Sequence, residues 1–250
     1  MIKMLGRAAA PLAAALCVTA AVCAQAPAAM PQTPMTQQQI NEEMLKELKA
    51  IHQLLERLTQ PEAAAPPATA RLADLKGFAL GRADAPLTIV EFTDLQCPFC
   101  RQYLLTTFPE LKRNWIDTGR LRYISRDFPL DVHAQAMNAA RAARCSGEQG
   151  KFWDMRFTLL SNAQLLSPAF ITRTGADLKL DAKAFAECAA SHKYDDEITA
   201  DQSAGTKIGV SGTPTFVLGR TAGATVEGPM IVGAAPYALF DAKLKELLAK

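Results

Sequence analysis

The sequence predicts an α/β fold in which one β-sheet carries helices on both faces and a helical segment is inserted between its strands. An apolar, β-branched run at residues 87–92 precedes an amphipathic segment and a second apolar run, the order expected of a βαβ unit. Only helical patterns occur at residues 130–209, after which strand and helix patterns resume. A separate heptad helix precedes this domain.

The elements around the central strand follow in a simple order. An edge strand is expected at residues 78–80, before the strand at residues 87–92. The next helix should run from Pro98 to about residue 117 and kink at Pro109, because proline removes a hydrogen bond inside a helix. Residues 121–125 then predict a strand parallel to the first.

A Cys97-Pro98-Phe99-Cys100 box opens this helix and predicts thiol–disulfide chemistry. The unpaired N–H groups and the positive dipole end of the helix favour thiolate at Cys97. Pro98 fits the first turn, where its missing N–H costs nothing, and Cys100 lies one turn deeper. We therefore expect Cys97 to be the exposed, attacking sulfur and Cys100 to be the more buried sulfur that resolves the mixed disulfide.

The box has two other interpretations. A Cys-x-x-Cys pair is often half of a zinc site, but zinc needs two further close ligands, and the sequence has no second Cys-x-x-Cys and no paired histidine motif. The pair could also form a purely structural bridge. We favour a redox dithiol that binds no metal and uses no cofactor beyond the Cys97–Cys100 disulfide itself.

Two further features complete a resemblance to a known family. Glu91 lies six residues before Cys97 on the same strand, and a later segment reads Ser211-Gly212-Thr213-Pro214-Thr215-Phe216. With the box, these features resemble the DsbA-type proteins of the thioredoxin fold, from about residue 72 to the C-terminus. The resemblance implies a thioredoxin fold with an inserted helical subdomain. It also implies that Glu91 assists proton transfer to the buried cysteine and that Pro214 is cis and packs against the disulfide.

The resemblance also bears on substrates and on the direction of the reaction. The pair between the cysteines, Pro98-Phe99, lacks the histidine of the strongly oxidising members. The residue before the late proline, Thr213, resembles the one at this position in the DsbC and DsbG isomerases. Substrate contacts are expected from Pro98, an exposed Phe99 ring, Thr213 and Pro214. Without the resemblance, Glu91 could equally be salt-bridged or exposed, and an X-Pro bond is usually trans.

Three polar residues near the box have no assigned role. Asp94 and Gln96 flank the box and either shape a substrate groove or lie in a solvated turn. His133 begins a later helix, where a single histidine is more often a surface or capping group.

Residues 1–24 predict a secretory signal peptide, because Lys3 and Arg7 precede an Ala-rich apolar run and a small residue suits cleavage before Gln25. A membrane anchor and a lipoprotein signal are the alternatives. Removing this segment lowers the 27 basic residues to 25, equal to the 25 acidic ones, so nucleic acid is an unlikely partner. Four cysteines remain, an even number that fits export to an oxidising periplasm.

A flexible tether at residues 25–35 leads into a heptad helix at residues 36–60. Its apolar residues alternate in steps of four and three, at Met44, Leu48, Ile51, Leu55 and Leu58. A lone helix of this length is marginal in water, and a Pro/Ala linker at residues 61–70 separates it from the main domain at residues 71–250. We expect homo-oligomerisation through this helix, as in DsbC-like and ScsC-like relatives. Packing back on its own domain is the alternative.

The inserted segment at residues 130–209 holds the other two cysteines of the exported chain. Cys145 closes a helix expected at residues 133–145, and Cys188 lies in another expected at residues 181–191. A structural disulfide between them is predicted, with two separate buried thiols as the alternative.

The end of the chain returns to the sheet. Strands are expected at residues 213–219 and 225–233, the second broken by Gly228-Pro229. An amphipathic helix at residues 236–249 then closes the domain.

These features favour a periplasmic thiol:disulfide oxidoreductase of exported proteins, leaning to an oligomeric disulfide isomerase or reductase that a DsbD-like membrane partner keeps reduced. The alternative is a disulfide oxidase with a DsbB-like partner. A protein of another class would bind Cu(I) through Cys97 and Cys100, since thiolates suit that ion and ScsC-like relatives are associated with copper tolerance. A structural oligomer with a vestigial disulfide is the third class.

Overall fold

The computed structural model describes residues 36–59 and 69–249 of the chain. The heptad helix and the domain that follows it fall into two compact units that divide at Pro61. The predicted signal peptide, the tether at residues 25–35 and most of the linker lie outside the described residues. Within the described ranges, every helix is too short or too polar to cross a membrane.

The first unit contains helix α1, which runs over Gln37–Thr59. Thr36 precedes it and forms a reciprocal capping pair with Gln39. The Gln39 side chain accepts from the Thr36 N–H at 2.9 Å, and the Thr36 hydroxyl accepts from the Gln39 N–H at 3.3 Å. The apolar stripe of this helix is exposed within its unit, at Ile40, Met44, Leu48 and Ile51.

The second unit alternates strands and helices around one sheet. Its strands are β1 (Thr69–Leu72), β2 (Phe78–Leu80), β3 (Leu87–Thr93), β4 (Leu121–Asp127), β5 (Thr215–Arg220) and β6 (Val226–Val232). Its helices are α2 (Pro98–Thr106), α3 (Phe108–Leu111), α4 (Ala136–Gly147), α5 (Phe152–Ser161), α6 (Pro168–Asp177), α7 (Ala182–Ser191), α8 (Asp195–Lys207) and α9 (Tyr237–Ala249).

The six strands form one sheet in the order β1-β6-β5-β3-β4-β2. Strands β3 and β4 are parallel, as a helical crossover requires, and every other neighbouring pair is antiparallel. Helices α4 to α8 fill the chain between β4 and β5. The predicted α/β fold with a helical insertion is therefore confirmed.

The central strand β3 is buried along its whole length and divides the core in two. Leu87 and Ile89 point into the larger cluster, which also contains Cys97, Cys100 and residues of α2, α4, α5 and α9. Val90 and Phe92 point into the smaller cluster on the opposite face. Because side chains alternate along a strand, Glu91 lies on the same face as Ile89, towards the cysteines.

The N-terminal boundary of the domain differs from the prediction. Thr69 and Ala70 belong to strand β1, whereas the sequence assigned residues 61–70 to a linker and began the domain at residue 71. Ala70 and Leu72 are buried and pair with β6, opposite Gly228 and Val226. The Pro/Ala composition of the preceding residues gave no sign of this short strand, and its partner strand β6 lies far along the chain.

The predicted break at Gly228-Pro229 was wrong, because β6 passes through both residues without interruption. Gly228 lies so close to β5 that a Cβ there would fall 2.1 Å from the Leu218 carbonyl oxygen. The glycine is therefore needed for a close backbone approach, one of the roles of glycine inside strands.

The helix after the box is interrupted near Pro109, as its sequence predicts. Helix α2 ends at Thr106, α3 begins at Phe108, and Lys112–Ile116 continues as a π-helix. Pro109 sits in the first turn of α3, where its missing N–H is tolerated. The interruption lets Phe108 and Trp115 both reach the large core.

Candidate functional site: a dithiol at the start of helix α2

The candidate site forms where β3 ends, α2 begins and the Thr213–Pro214 turn approaches from the far end of the chain. Cys97 is the N-cap residue of α2, and Pro98 occupies its first turn. The Cys97 thiol donates to the Thr213 carbonyl oxygen at 3.4 Å. Residues separated by 116 positions thus meet at one sulfur.

Cys97 has the chemical character expected of an attacking sulfur. The neighbouring Cys100 thiol, acting as a hydrogen-bond donor, lowers the pKa of Cys97 from 9.0 to about 6, while burial acts in the opposite direction. The backbone N–H groups of Phe99 and Cys100 add to the lowering, as expected at a helix N-terminus.

The expectation of an exposed Cys97 needs correction. Both cysteines are present as thiols, and the residue Cys97 is only 2% exposed. The Thr213–Pro214 turn lies against its sulfur and covers it. Local helix geometry could not reveal this cover, because the turn belongs to a distant part of the chain.

Cys100 differs sharply from its neighbour. It lies in the first turns of α2 and is fully buried. Burial raises the pKa of the Cys100 thiol well above its ordinary value, and the nearby Cys97 and Glu91 raise it further. Cys100 therefore retains its proton when Cys97 is a thiolate.

The Thr213–Pro214 peptide bond is cis. Strand β5 begins directly after it, at Thr215, whose hydroxyl donates to the Gly212 carbonyl at 2.7 Å. The Thr213 residue is 8% exposed, and its buried hydroxyl has no hydrogen-bond partner in the described part of the chain.

Glu91 is completely buried and is part of an ion pair. Its Oε2 accepts a hydrogen bond from the Tyr123 hydroxyl at 2.7 Å and a charged one from Arg156. Arg156, itself 1% exposed, also donates to the Ser125 hydroxyl at 3.0 Å. Glu91 is therefore salt-bridged, one of the two alternatives that the sequence allowed. It lies on the face of β3 that points towards the cysteines.

Arg156 is a site residue that sequence reasoning missed. Its signal was an arginine between Met155 and Phe157 in helix α5, whose neighbours are mostly apolar. An unexplained charge in such a helix needs a buried partner. Glu91 was the unexplained acid, but 65 residues separate the two, and only the fold brings them together.

Asp94, Gln96 and His133 fasten the turn before the box to the loop after β4. Asp94 is buried and accepts hydrogen bonds from the Gln96 and Leu130 N–H groups at 2.7 and 2.9 Å. Its Oδ2 also lies 2.7 Å from His133 Nδ1. Gln96 Oε1 accepts from the Gln135 N–H at 2.6 Å. These residues are structural ties of the site rather than members of a solvated turn.

Phe99 is exposed to solvent, as is Pro98, with 59% of the Phe99 surface accessible. Arg101 anchors the helix by donating to the Ser161 carbonyl at 2.7 Å. Phe99 therefore has the position expected of an apolar contact next to the reactive sulfur.

Cys145 and Cys188 are joined by a disulfide that links α4 to α7, with a Cα–Cα distance of 5.8 Å. Within the described residues, the one cluster of three potential metal ligands consists of these two cysteines and Glu148. The two sulfurs of this cluster are bonded to each other in the disulfide and are not free thiolate ligands. Cys97 and Cys100 therefore gain no third protein ligand of the His, Cys, Asp or Glu type from the described part of the chain.

Comparisons with known proteins agree with this geometry. A family model described as Thioredoxin matches residues 74–227, more than half of the chain. The Na(+)/H(+) antiporter NhaA 3 of Salinispora tropica is 37% identical over 65% of this chain and 24% of the antiporter. A probable disulfide bond formation protein D of Bacillus cereus is 28% identical over 57% of this chain and 70% of that protein.

Solved structures point to the same family. The crystal structure of α-DsbA1 from Wolbachia pipientis is 26% identical, covers 68% of this chain and 90% of its own, and superposes with a TM-score of 0.62. The chain spans about a quarter of the length of this antiporter. From the extent of the family match and the likeness to a solved DsbA, the chain belongs to the thioredoxin family and resembles its DsbA-type members.

Proposed function

We propose that the protein is a thiol:disulfide oxidoreductase that exchanges disulfides with exported proteins through Cys97 and Cys100. The observation that carries this proposal is the asymmetry of the two thiols. Cys97, with a pKa lowered to about 6, is the nucleophile and the leaving group, whereas the buried Cys100 keeps its proton until it resolves a mixed disulfide.

The surrounding residues have complementary proposed roles. Glu91 exchanges a proton with Cys100, because it lies on the same face of β3 and contributes to the raised pKa of that thiol. Thr213 and Pro214 cover Cys97 and offer backbone groups to an extended substrate strand. Pro98 shapes the first turn of α2, and Phe99 gives the substrate an apolar contact.

For the direction of the reaction we propose isomerase or reductase activity. The support is the exposed apolar stripe of α1, which suits an oligomer, and Thr213 before the cis proline, the residue that the resemblance links to isomerases. The alternative direction, oxidase activity, is supported by the names DsbA and disulfide bond formation protein among the relatives.

An oligomer assembled through residues 36–60 would give such an isomerase several active sites facing a misfolded substrate. The support is the exposed apolar stripe of α1, since an isolated helix with such a stripe is stabilised mainly by packing it against another surface. We place the protein in the periplasm, kept reduced by a membrane donor of the DsbD type, with no nucleic-acid partner. The Cu(I)-binding alternative has two thiols to offer but no third ligand of the His, Cys, Asp or Glu type in the described residues.

The oligomer and the direction can be tested together. Leu48→Lys places a charge in the α1 stripe and should convert the protein to a monomer, with scrambled-ribonuclease reactivation reduced by about tenfold or more because monomers cannot hold a substrate at two sites. Mass in solution and reactivation are measured on the same samples.

Leu45→Lys is the matched control, because Leu45 is exposed on the same helix but outside the stripe. It should leave both mass and reactivation unchanged. If both variants and the parent rapidly oxidise reduced ribonuclease but none reactivates the scrambled form, the protein is an oxidase and the proposed direction is wrong.

A further inference from the structure

The buried pair Glu91–Arg156 leaves one carboxylate oxygen of Glu91 available. Oε2 is engaged by both Tyr123 and Arg156, whereas Oε1 is buried without any hydrogen-bond partner in the described part of the chain. A buried carboxylate normally uses both oxygens, because an unmade hydrogen bond there is costly. The unpaired Oε1 is therefore an acceptor ready for a proton.

The groups that face Glu91 come from three elements. Helix α2 contributes Cys100 and Tyr103, strand β4 contributes Tyr123, and helix α5 contributes Arg156. Strand β5, its other neighbour, places Phe216 opposite Glu91. Asp127 on β4 is a further acid close enough for Arg156 to lower its pKa, although burial raises that pKa to about 6 overall. Among these groups of the described structure, Arg156 is the one cation.

We propose that Arg156 is a positioning residue for the resolving step. By pairing with Oε2, it fixes the position of the Glu91 side chain and leaves Oε1 free to take the proton of Cys100. The inference rests on the proposed function and extends it, because it assigns the proton transfer to a pair rather than to a lone acid.

A substrate or probe disulfide has formed a mixed disulfide with Cys97, releasing one thiolate. The Cys100 thiol gives its proton to Glu91 Oε1, and its sulfur attacks the Cys97 sulfur. The bond between Cys97 and the probe sulfur breaks, the probe leaves as a second thiolate, and the Cys97–Cys100 disulfide forms. The dithiol is oxidised, the probe disulfide is reduced, and Glu91 later returns the proton to water.

The aromatic probe DTNB separates the two steps in the full-length reduced protein. The first thionitrobenzoate is released when Cys97 attacks, and the second when Cys100 resolves. Cys100→Ser, which should release only the first, identifies the two phases in stopped-flow traces. If the parent protein lacked the first phase, the proposed function would be wrong. A defect confined to the second phase tests the roles of Arg156 and Glu91 alone.

Arg156→Met should leave the first release within about twofold of the parent and slow the second at neutral pH by about a hundredfold, the lower end of what general acid–base catalysis contributes. The second rate should recover at higher pH, where solvent removes the proton. Arg156→Lys keeps the cation but loses the fork that also reaches Ser125, so its second rate should lie between those of Arg156→Met and the parent. Arg141→Met, which removes a partly exposed arginine paired with Asp195, should change neither phase.

Double substitution keeps the test decisive if Arg156→Met does not fold. Glu91→Gln/Arg156→Met has no buried charge at this position and should resolve as slowly as Glu91→Gln alone, because Arg156 acts only through Glu91. The proposal is overturned if the double variant resolves at the parental rate. It is also overturned if the double variant is much slower than Glu91→Gln, or if Arg156→Met keeps the parental rate and pH profile.

Discussion

At the scale of single residues, the two sulfurs of the box differ because they sit at different depths of one helix. Cys97 is at the N-cap, where its sulfur accepts hydrogen bonds from the Cys100 thiol and from backbone N–H groups. These hydrogen bonds stabilise the Cys97 thiolate. Cys100 is enclosed by the large core, where burial destabilises a thiolate. A spacing of two residues is enough to separate their chemistry.

The lowered pKa of Cys97 predicts a pH dependence of stability in the reduced protein. A pKa of about 6 in the folded chain, against 9.0 ordinarily, means that the unfolded chain binds more protons between these values, so stability rises with pH across this window. The stabilisation is complete above about pH 9 and is lost as pH falls towards 6. Three pKa units correspond to at most about 4 kcal/mol of stability.

Urea unfolding of the reduced protein across this pH window, beside Cys97→Ser, measures the effect. The free energy of unfolding of the parent should rise relative to the variant as pH increases. A constant difference between the two proteins would show that Cys97 has an ordinary pKa.

At the scale of elements, the turn between β3 and α2 is held by side chains rather than by its own backbone alone. Asp94 collects donors from its own turn and from the loop at residues 129–135, and Gln96 adds a second tie to that loop. The start of α2, and with it Cys97, is thereby fastened to the segment that follows β4.

Asp94→Asn should destabilise the folded protein by about 2 kcal/mol, because the charged acceptor of three hydrogen bonds is replaced by a neutral amide. Asp131→Asn is the matched control, since Asp131 is an exposed acid in the same loop. Denaturant midpoints measure both. Equal midpoints for the two variants would mean that the Asp94 tie contributes no stability.

At the scale of the whole molecule, the insertion is closed by the Cys145–Cys188 disulfide. The bond spans 43 residues and holds α4 against α7. Closing a loop of this length restricts the unfolded chain and is worth about 3 to 4 kcal/mol on chain-entropy grounds.

Cys145→Ala/Cys188→Ala should therefore lower the free energy of unfolding by about 3 kcal/mol, measured by urea unfolding under non-reducing conditions. Cys188→Ala alone should cost about as much, since either change opens the bond. The titration of Cys97 should be the same in all three proteins. A loss below about 1 kcal/mol would contradict a stabilising role for this disulfide.

The local features of this protein can be predicted from short stretches of sequence. Strand β3, the helix with Cys97 and Cys100 at its start, its interruption near Pro109 and the helical insertion were all readable from periodicity and proline chemistry. The heptad pattern likewise predicted α1. These features depend on residues within one or two turns of each other, so neighbouring sequence is sufficient to define them.

The contacts between distant segments depend on the packed fold and could not be predicted from the sequence. It paired β1 with β6, placed the Thr213–Pro214 turn over Cys97, supplied Arg156 to Glu91 and joined His133 to Asp94. Each contact joins residues 39 or more positions apart. A charged residue within an apolar stretch of sequence indicates that it needs a partner. The identity of that partner depends on which faces of the helices and strands pack together.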